Sequence, residues 1–516
     1  RRSALEAMWP ALTGVYGNPS SAHEAGRAAA ALLEDARARV ARAIGARAGQ
    51  VVFTSGGTEA DALAVLGTVR ARILAGRPAG HVLTTGIEHS AVRQSCDQLA
   101  RLHGVEVEHL ALDRDGLTCA DDLAARLRPD TALVSVHLAH NEVGTVQPVA
   151  ELAAVAREAG VPLHVDAVQA AGQIPVDVRA LGADLVALSG HKVGGPKGVG
   201  ALWVRPGHAL EPLVPGGGQE RGRRSGTQNV AGAAGFAAAF EEAEAERTAA
   251  ADAWSGLRDR FAARVLDGVR ELVPDARLTG HPARRLPRHA SFVLPGVNGE
   301  SVLEEAARRG VLASAGSACS AHDAEPSPAL LALGLSEDEA RTALRCTFGP
   351  DADAPLLDAA ADAIVDAVPR REEDNTDLGV ERTQPSEHLE AVDVGQPDVQ
   401  DHQGHQPGER HEGHEGQARH QGEQEHGEGA GAWPQETVVY ADDERAGEGQ
   451  GQGERPTPSC PRSRRGAPLS AGDVALRLPP APGQPRRLPA RNSRRKLRRA
   501  PQLVPCAPLH LPLPAE

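Results

Sequence analysis

Residues 185–200 read LVALSGHKVGGPKGVG, an apolar run followed by Ser-Gly-His-Lys and a glycine-rich exit. The chain carries 55 Lys+Arg, yet its lysines are only Lys192, Lys197 and Lys496. Arginine stays protonated in proteins, whereas a desolvated lysine loses its proton and forms Schiff bases with carbonyl groups. Lys192 is therefore a candidate covalent lysine, although an exposed lysine in a polar loop would give the same local sequence.

The segments around this stretch alternate between strand-like and helical patterns. Short apolar runs predict strands at residues 50–54, 81–85, 105–110, 131–138, 162–165, 185–188 and 201–204. Helical spacing predicts helices at residues 3–12, 23–44, 91–103, 117–127 and 149–159. This alternation is typical of an α/β fold whose mostly parallel sheet is covered by helices on both faces. Functional sites are then expected at the carboxyl ends of the strands.

A second pattern begins beyond a long predicted helix at residues 230–270. Predicted strands at 289–294 and 344–348 and helices at 299–309, 337–340 and 355–368 indicate a smaller α+β unit. We therefore expect a large domain at 1–250, with residues 1–14 packing against the smaller domain, a smaller domain at 251–368, and a tail at 369–516. The tail lacks apolar periodicity, so we expect it to be disordered or translated out of frame. Its His-rich tract lacks the regular spacing of a metal site.

Composition narrows the class of protein. The net charge is −14 and the part predicted to fold has no basic stripe, so we expect no direct nucleic-acid binding. We find no apolar run of membrane-spanning length and no signal peptide, and therefore expect a cytoplasmic location without membrane association. The six cysteines are scattered, unlike those of a zinc site or a disulfide scaffold. Because the chain starts at Arg1 and its single methionine is Met8, we expect further residues to precede it.

Polar residues recur where the predicted strands end. Gly57 and Thr58 lie between a strand and a helix, where backbone N–H groups and the helix dipole favour an anion. Asp166 ends another apolar run, where a carboxylate faces a cation or strong donor, or else caps a loop. Further polar residues follow strands at His89, Asn141 and Gln169. A phosphate grip, an acid for a ring nitrogen and a Schiff-base lysine are what pyridoxal 5'-phosphate requires.

Eight runs of the sequence, in order, resemble the cysteine desulfurases of the aminotransferase class V fold. They read TSGGTEAD, IEHSAV, HNEVGTVQPV, HVDAVQAAGQIPVDV, SGHKVGGPKGVGAL, GGGQERGRRSGTQNV, ASAGSACS and EPSPALLALGLS. The resemblance covers residues 1 to about 368 and is closest to the housekeeping group that serves iron–sulfur cluster assembly. It implies a type I pyridoxal-phosphate transferase fold and a homodimer. The family's first strand and its Ala-Ala-Thr loop are expected to precede Arg1, and the tail matches nothing in the family.

The resemblance also implies a role for each matching residue. Lys192 would be the Schiff-base lysine, Asp166 the partner of the pyridine nitrogen, and Cys319 the nucleophile. His89 would stack on the ring and transfer protons, and Arg345 would clamp the substrate carboxylate with two parallel donors. Asn141 and Gln169 would bind the ring oxygen, and Asn141 would also face the substrate. The phosphate would be held by Gly57, Thr58, Ser189, His191 and, from the other subunit, Thr227.

The implied reaction converts L-cysteine to L-alanine and leaves the sulfur as a persulfide on Cys319. The sulfur would serve iron–sulfur cluster assembly or tRNA thiolation, with a scaffold protein or a tRNA-thiolating enzyme as acceptor. Two other interpretations stay open. One is a selenocysteine lyase or a same-fold aminotransferase, neither of which needs this cysteine. The other is an inactive, truncated relic that acts only as a binding scaffold.

Overall fold

A computed structural model of the protein describes residues 1–315 and 326–369 of the 516-residue chain. Cys319 and the predicted tail from residue 370 onward therefore lie outside the described residues. The helices are α1 (Arg2–Thr13), α2 (Glu24–Ala43), α3 (Gly57–Leu74), α4 (Ser90–His103), α5 (Ala120–Arg126), α6 (Val149–Glu158), α7 (Val178–Leu181), α8 (Val230–Val269), α9 (Gly299–Arg308), α10 (Pro328–Ala332), α11 (Glu337–Arg341) and α12 (Ala354–Ala367).

The strands form two sheets. Those of the larger sheet are β1 (Val51–Thr54), β2 (His81–Thr85), β3 (Glu106–Leu110), β4 (Thr131–His137), β5 (Leu163–Asp166), β6 (Leu185–Ser189) and β7 (Gly200–Val204). Their spatial order is β1-β7-β6-β5-β4-β2-β3. The pairs β2/β3, β2/β4, β4/β5 and β5/β6 are parallel, and β7 runs antiparallel to both of its neighbours. The predicted mostly parallel α/β sheet is confirmed.

Helices cover both faces of the larger sheet because successive strand residues point to opposite sides. Val186 and Leu188 of β6 belong to a buried cluster with residues of α2, α6 and α8, including Phe236. Leu185 and Ala187 of the same strand belong to a second cluster with residues of α3 and α4. Strands buried on both faces have nearly continuous apolar sequences, which is why the short runs were readable as strands.

The smaller sheet is antiparallel and lies beside the second half of α8. It consists of β8 (Arg277–Leu278), β9 (His289–Val293) and β10 (Ala343–Thr347) in the order β10-β9-β8. Phe292 of this sheet shares a buried cluster with Trp254 and Phe261 of α8 and with Ile364 of α12. The long helix expected at 230–270 is thus present and contributes to the cores of both sheets.

The first helix packs on the first half of α8. Ala4 is buried in the same cluster as Phe236, and Arg1 Nη1 donates to Glu242 at 2.8 Å and to Glu246 at 2.6 Å. The structure therefore differs from the expectation that the first fourteen residues pack against the smaller domain. The reason is that α8 offers acidic partners and a small-residue face beside the larger sheet, which the sequence of α1 alone does not reveal. None of the helices in residues 1–315 and 326–369 has the length and apolar character of a membrane-spanning segment.

Candidate active site

The carboxyl ends of the parallel strands open into a cavity of about 270 Å³. The turn after β1 contributes Gly57 and Thr58, and the segment after β2 contributes His89. Parallel strands end at the same edge of a sheet, so residues far apart in the sequence meet there. The remaining predicted lining residues are Asn141 after β4, Asp166 and Gln169 at β5, Ser189, His191 and Lys192 at β6, and Arg345 from β10.

Two predicted site residues are not among those that line the cavity. Thr227 is exposed on the segment before α8 and does not line the cavity of its own chain. Cys319 lies outside the described residues. The other ten predicted site residues line one cavity. The roles predicted for the twelve residues stay predictions.

One end of the cavity is built for an anion. The 18-residue helix α3 begins at Gly57, so its N-terminal N–H groups face the cavity together with the Thr58 hydroxyl. A Cβ atom at Gly57 would lie 2.8 Å from Val168 Cγ2, so any larger residue would require Val168 to shift. Across the turn, Ser189 Oγ and His191 Nδ1 lie 2.8 Å apart. These donors match the needs of a phosphate group.

The floor of the cavity contains a buried carboxylate. Asp166 is 7% exposed, and its Oδ1 accepts a hydrogen bond from Val168 N at 2.9 Å. Burial, and charge on the nearby Asp61 whenever that group ionises, raises the pKa of Asp166 to about 7. A buried carboxylate is costly unless a cation or strong donor faces it, and a protonated pyridine nitrogen is such a group. The donor set at the two ends of the cavity therefore fits pyridoxal phosphate.

His89 is oriented by the start of α4. It is the N-cap residue, and its Nδ1 accepts a hydrogen bond from Ala91 N at 3.1 Å. A capping side chain satisfies an otherwise unpaired helix N–H, so the imidazole is fixed by the same contact that starts the helix. The imidazole lines the cavity, and its stacking role stays a prediction.

Three buried residues support this part of the cavity and were not identified from the sequence. Glu88 Oε1 accepts a hydrogen bond from His137 N at 3.1 Å and lies 2.8 Å from His137 Nδ1. Despite its burial, His137 has a raised pKa because the Glu88 carboxylate faces it. His140 Nε2 donates to Ile87 O at 2.8 Å, while its Nδ1 accepts from Glu142 N at 3.1 Å. These bonds fix the turn that contains Asn141.

The opposite side of the cavity is formed by the smaller sheet. Arg345 is 4% exposed in β10, and its Nη1 donates to Asn141 O at 3.2 Å. His289 Nε2 donates to the same carbonyl oxygen at 3.0 Å. Glu142 lies beside them, and burial raises its pKa to about 6 although Ser327 Oγ donates to it at 2.5 Å. The guanidinium is thus positioned at the cavity by contacts between the two sheets.

Similarity to known proteins agrees with this geometry. Residues 1–357 match the model of the family described as aminotransferase class-V. A protein named cysteine desulfurase IscS from Dictyoglomus turgidum is 42% identical over 349 residues, covering 68% of this chain and 86% of that protein. The chain belongs to the cysteine desulfurases of the aminotransferase class-V family. It is therefore an enzyme that depends on pyridoxal phosphate.

Solved structures with the same fold extend the similarity to three dimensions. One titled "NIFS-LIKE PROTEIN" superposes with a TM-score of 0.65 at 32% identity, covering 71% of this chain and 95% of its own. Another, titled "SspA in complex with cysteine", has a TM-score of 0.58 at 33% identity and covers 68% and 96% of the two chains. Both sequence and structure therefore support the fold and the family of this chain.

Proposed function

We propose that this enzyme removes sulfur from L-cysteine, releases L-alanine and keeps the sulfur as a persulfide on Cys319. The observation that carries the proposal is the convergence of Lys192, Asp166, His89 and Arg345 on one cavity. An amine, a buried acid, an imidazole and a guanidinium are the groups that cofactor attachment, ring protonation, proton transfer and carboxylate binding need. The solved relative titled as a complex with cysteine supports the choice of substrate.

Pyridoxal phosphate, when bound, withdraws electrons from the substrate carbon that bears the amine. The chain's own residues hold and orient it. Lys192 provides the amine for its covalent attachment, and Asp166 keeps a proton on the ring nitrogen. The N-terminus of α3 with the hydroxyls of Thr58 and Ser189 holds the phosphate. The other proposed contacts are His191 to the phosphate, His89 to the ring face, and Asn141 and Gln169 to the ring oxygen.

Arg345 binds the substrate carboxylate in this proposal. A guanidinium presents two parallel N–H donors that match a carboxylate, which gives orientation as well as attraction. Arg345 Nη1 already donates to the Asn141 carbonyl, so its plane is held before substrate arrives. A pre-oriented clamp fixes the direction of the substrate side chain and hence the position of its sulfur.

Cys319 acts as a thiolate, since the thiolate is the nucleophilic form of cysteine. Its sulfur attacks the substrate sulfur and forms an S–S bond while the substrate carbon–sulfur bond breaks. The electron pair of the broken bond stays with the substrate carbon, which takes up a proton and becomes the methyl group of alanine. The enzyme is left with a persulfide, so no external oxidant or reductant is consumed.

The proposal also covers the oligomeric state, the cellular location, the sulfur acceptor and the domain boundaries. We infer a homodimer in which Thr227 serves the partner's phosphate site, because Thr227 is exposed and does not line its own cavity. A cytoplasmic location would keep the Cys319 thiol reduced, as cytosolic reductants do. The sulfur acceptor would be an iron–sulfur scaffold protein or a tRNA-thiolating enzyme. The division into domains at 1–250 and 251–368 is likewise proposed.

The test compares Cys319→Ser with Cys119→Ser, a matched control because Cys119 is an exposed free cysteine. Serine keeps the size and polarity, but its hydroxyl is scarcely ionised at neutral pH, so sulfur transfer should stop. The Cys319 variant should still bind the cofactor, show a spectral change with L-cysteine, and release neither alanine nor sulfide. The Cys119 variant should behave like the parent protein.

Alanine released by the Cys319 variant at the parent rate would contradict the proposal. Activity of that variant with selenocysteine alone would favour a selenocysteine lyase, because selenolate leaves without a protein thiol to receive it. Failure of the parent to bind the cofactor at all would favour the inactive scaffold.

A further inference from the structure

A second carboxylate lies on the floor of the cavity, one helical turn beyond Thr58. Asp61 of α3 is 1% exposed and lines the same cavity as Asp166. Its Oδ1 has no hydrogen bond of normal geometry among the described residues. The same is true of Nε2 of His164, a fully buried residue of β5. These two atoms lie 3.4 Å apart, which is within the range of an ion pair and slightly beyond a normal hydrogen bond.

The other ring nitrogen of His164 already has a partner. His164 Nδ1 lies 2.8 Å from Ser135 Oγ of β4, also fully buried. Buried polar atoms are rarely left unpaired, because the lost hydrogen bond to water is not replaced. A single proton between Asp61 and His164 satisfies both atoms with a small shift of either side chain. The chain Asp61–His164–Ser135 would then be hydrogen bonded throughout.

The groups around Asp61 decide where that proton resides. On its sheet side are Asp166 and His164 of β5, and beyond β2 lie Glu88 and His89. Asp166 accepts a backbone hydrogen bond from Val168, which favours its charged form, whereas Oδ1 of Asp61 accepts no hydrogen bond among the described residues. Two carboxylates that share a buried site rarely both ionise. The charge is therefore more stable on Asp166 than on Asp61.

We propose that Asp61 is a positioning residue that holds one proton and donates it in a hydrogen bond to His164, so that Asp166 is the carboxylate of this pair that carries the negative charge. This inference rests on the proposed pairing of Asp166 with the cofactor's ring nitrogen. Its effect is to present one anion to one pyridinium and to prevent a second buried charge from forming beside it.

The burial of the two groups favours the same arrangement. Burial, with a further contribution from Glu88, raises the pKa of Asp61 to about 8, and burial lowers the pKa of His164 to about 4. Both groups are then neutral near pH 7. A carboxyl group whose pKa is raised by folding binds a proton more tightly in the folded state than in the unfolded chain. Its contribution to stability is fully present at low pH and is lost as pH rises through the folded pKa.

The first test measures thermal unfolding of the apoprotein between about pH 5 and pH 9, which spans the interval in which Asp61 would lose its proton. Asp61→Asn imitates the protonated acid, because its amide still donates to His164 but cannot ionise. We expect the melting temperature of this variant relative to the parent to rise steadily up to about pH 8 and then to level off. Asp184→Asn is the control. Asp184 lies at the opposite end of the sheet and pairs with Arg205 at 2.7 Å, so its difference should stay constant.

The second test measures the affinity of the apoprotein for pyridoxal phosphate by fluorescence titration near pH 7. Asp166→Asn should weaken binding strongly, whereas Asp61→Asn should weaken it much less, because the anion is retained. Infrared difference spectra of the parent protein should show a protonated carboxyl band that disappears above about pH 8, a result that does not depend on the folding of any variant. The Asp61→Asn variant should lack that band.

A difference in melting temperature that does not change with pH would overturn the inference. So would a loss of cofactor affinity in Asp61→Asn equal to that in Asp166→Asn, or the absence of the infrared band. A parent protein that shows the band and the pH slope but binds no cofactor would contradict the proposed function and leave the proton assignment intact.

Discussion

The buried ion pair between Arg37 and Glu220 is expected to stabilise the segment that leads to Thr227. Arg37 Nη1 and Nη2 donate to the two carboxylate oxygens at 2.5 and 2.8 Å, and both side chains are at most 2% exposed. Glu220 Oε2 also accepts from Phe53 N at 3.0 Å. Glu220 has a φ of 48°, a left-handed conformation that is unfavourable for a residue with a side chain. These contacts therefore hold a strained backbone against β1.

The change Glu220→Gln removes the buried partner of Arg37 and leaves only the exposed Glu34 carboxylate, 2.9 Å from Arg37 Nε, to oppose the buried charge. Breaking a buried ion pair on one side costs about 3–5 kcal/mol, because the remaining charge stays desolvated. We expect the lower end of that range, about 3 kcal/mol, because the glutamine oxygen still accepts one of the hydrogen bonds. With a urea m-value of about 3 kcal/mol/M, the unfolding midpoint should fall by about 1 M.

The assay is urea unfolding of the apoprotein followed by circular dichroism. Glu6→Gln removes an exposed carboxylate that pairs with Arg2, and should not change the midpoint measurably. The double variant Arg37→Met/Glu220→Gln removes both buried charges and should recover part of the loss. A midpoint lower in the double variant than in Glu220→Gln alone would refute the argument, since the cost would then not come from the loss of the buried opposite charge.

Two further predictions concern the cavity. Lys192→Ala should abolish cofactor attachment and turnover, whereas Lys197→Ala should retain both, because Lys192 lines the cavity and Lys197 does not. Borohydride reduction followed by peptide mass mapping locates the attachment. A label on Lys197 would contradict the assignment. Arg345→Lys keeps the charge but loses the two-donor fork, so KM for L-cysteine should rise about 10- to 100-fold, as expected for the loss of a charged hydrogen bond. Steady-state kinetics measure it, and an unchanged KM would exclude Arg345 as the carboxylate clamp.

Strands and strand-end residues were readable from the sequence because one physical rule governs both. A strand buried on two faces, such as Leu185–Ser189, must be apolar along its length, and the sequence shows where such a run ends. Parallel connection then brings those ends to one edge. This is why Asp166, Lys192 and Asn141 could be grouped before their positions were known, although they are separated by long stretches of chain.

Other features depend on contacts that no local pattern contains. The strand Arg277–Leu278 and the helix Val178–Leu181 are too short to show periodicity, and neither was predicted. Glu88 and His137 read as ordinary polar positions, since their ion pair joins residues 49 apart in the sequence. Asp61 is the residue among these whose place near the cavity could have been inferred from the sequence. It lies three residues after Thr58 near the start of a helix, which places both on similar faces.

The concentration of buried polar groups under the cavity has a physical consequence for cofactor binding. In the apoprotein, burial raises the pKa of Asp166 to about 7, so its charged form is disfavoured near neutrality. A pyridinium placed against it removes that penalty and gains a charge-assisted hydrogen bond. Part of the cofactor affinity therefore comes from relieving an unfavourable carboxylate rather than from new apolar contact. The same reasoning requires that no second anion form nearby, which a proton held between Asp61 and His164 would ensure. A negative charge on Asp166 is thus expected to lower the stability of the apoprotein and to raise its affinity for the cofactor.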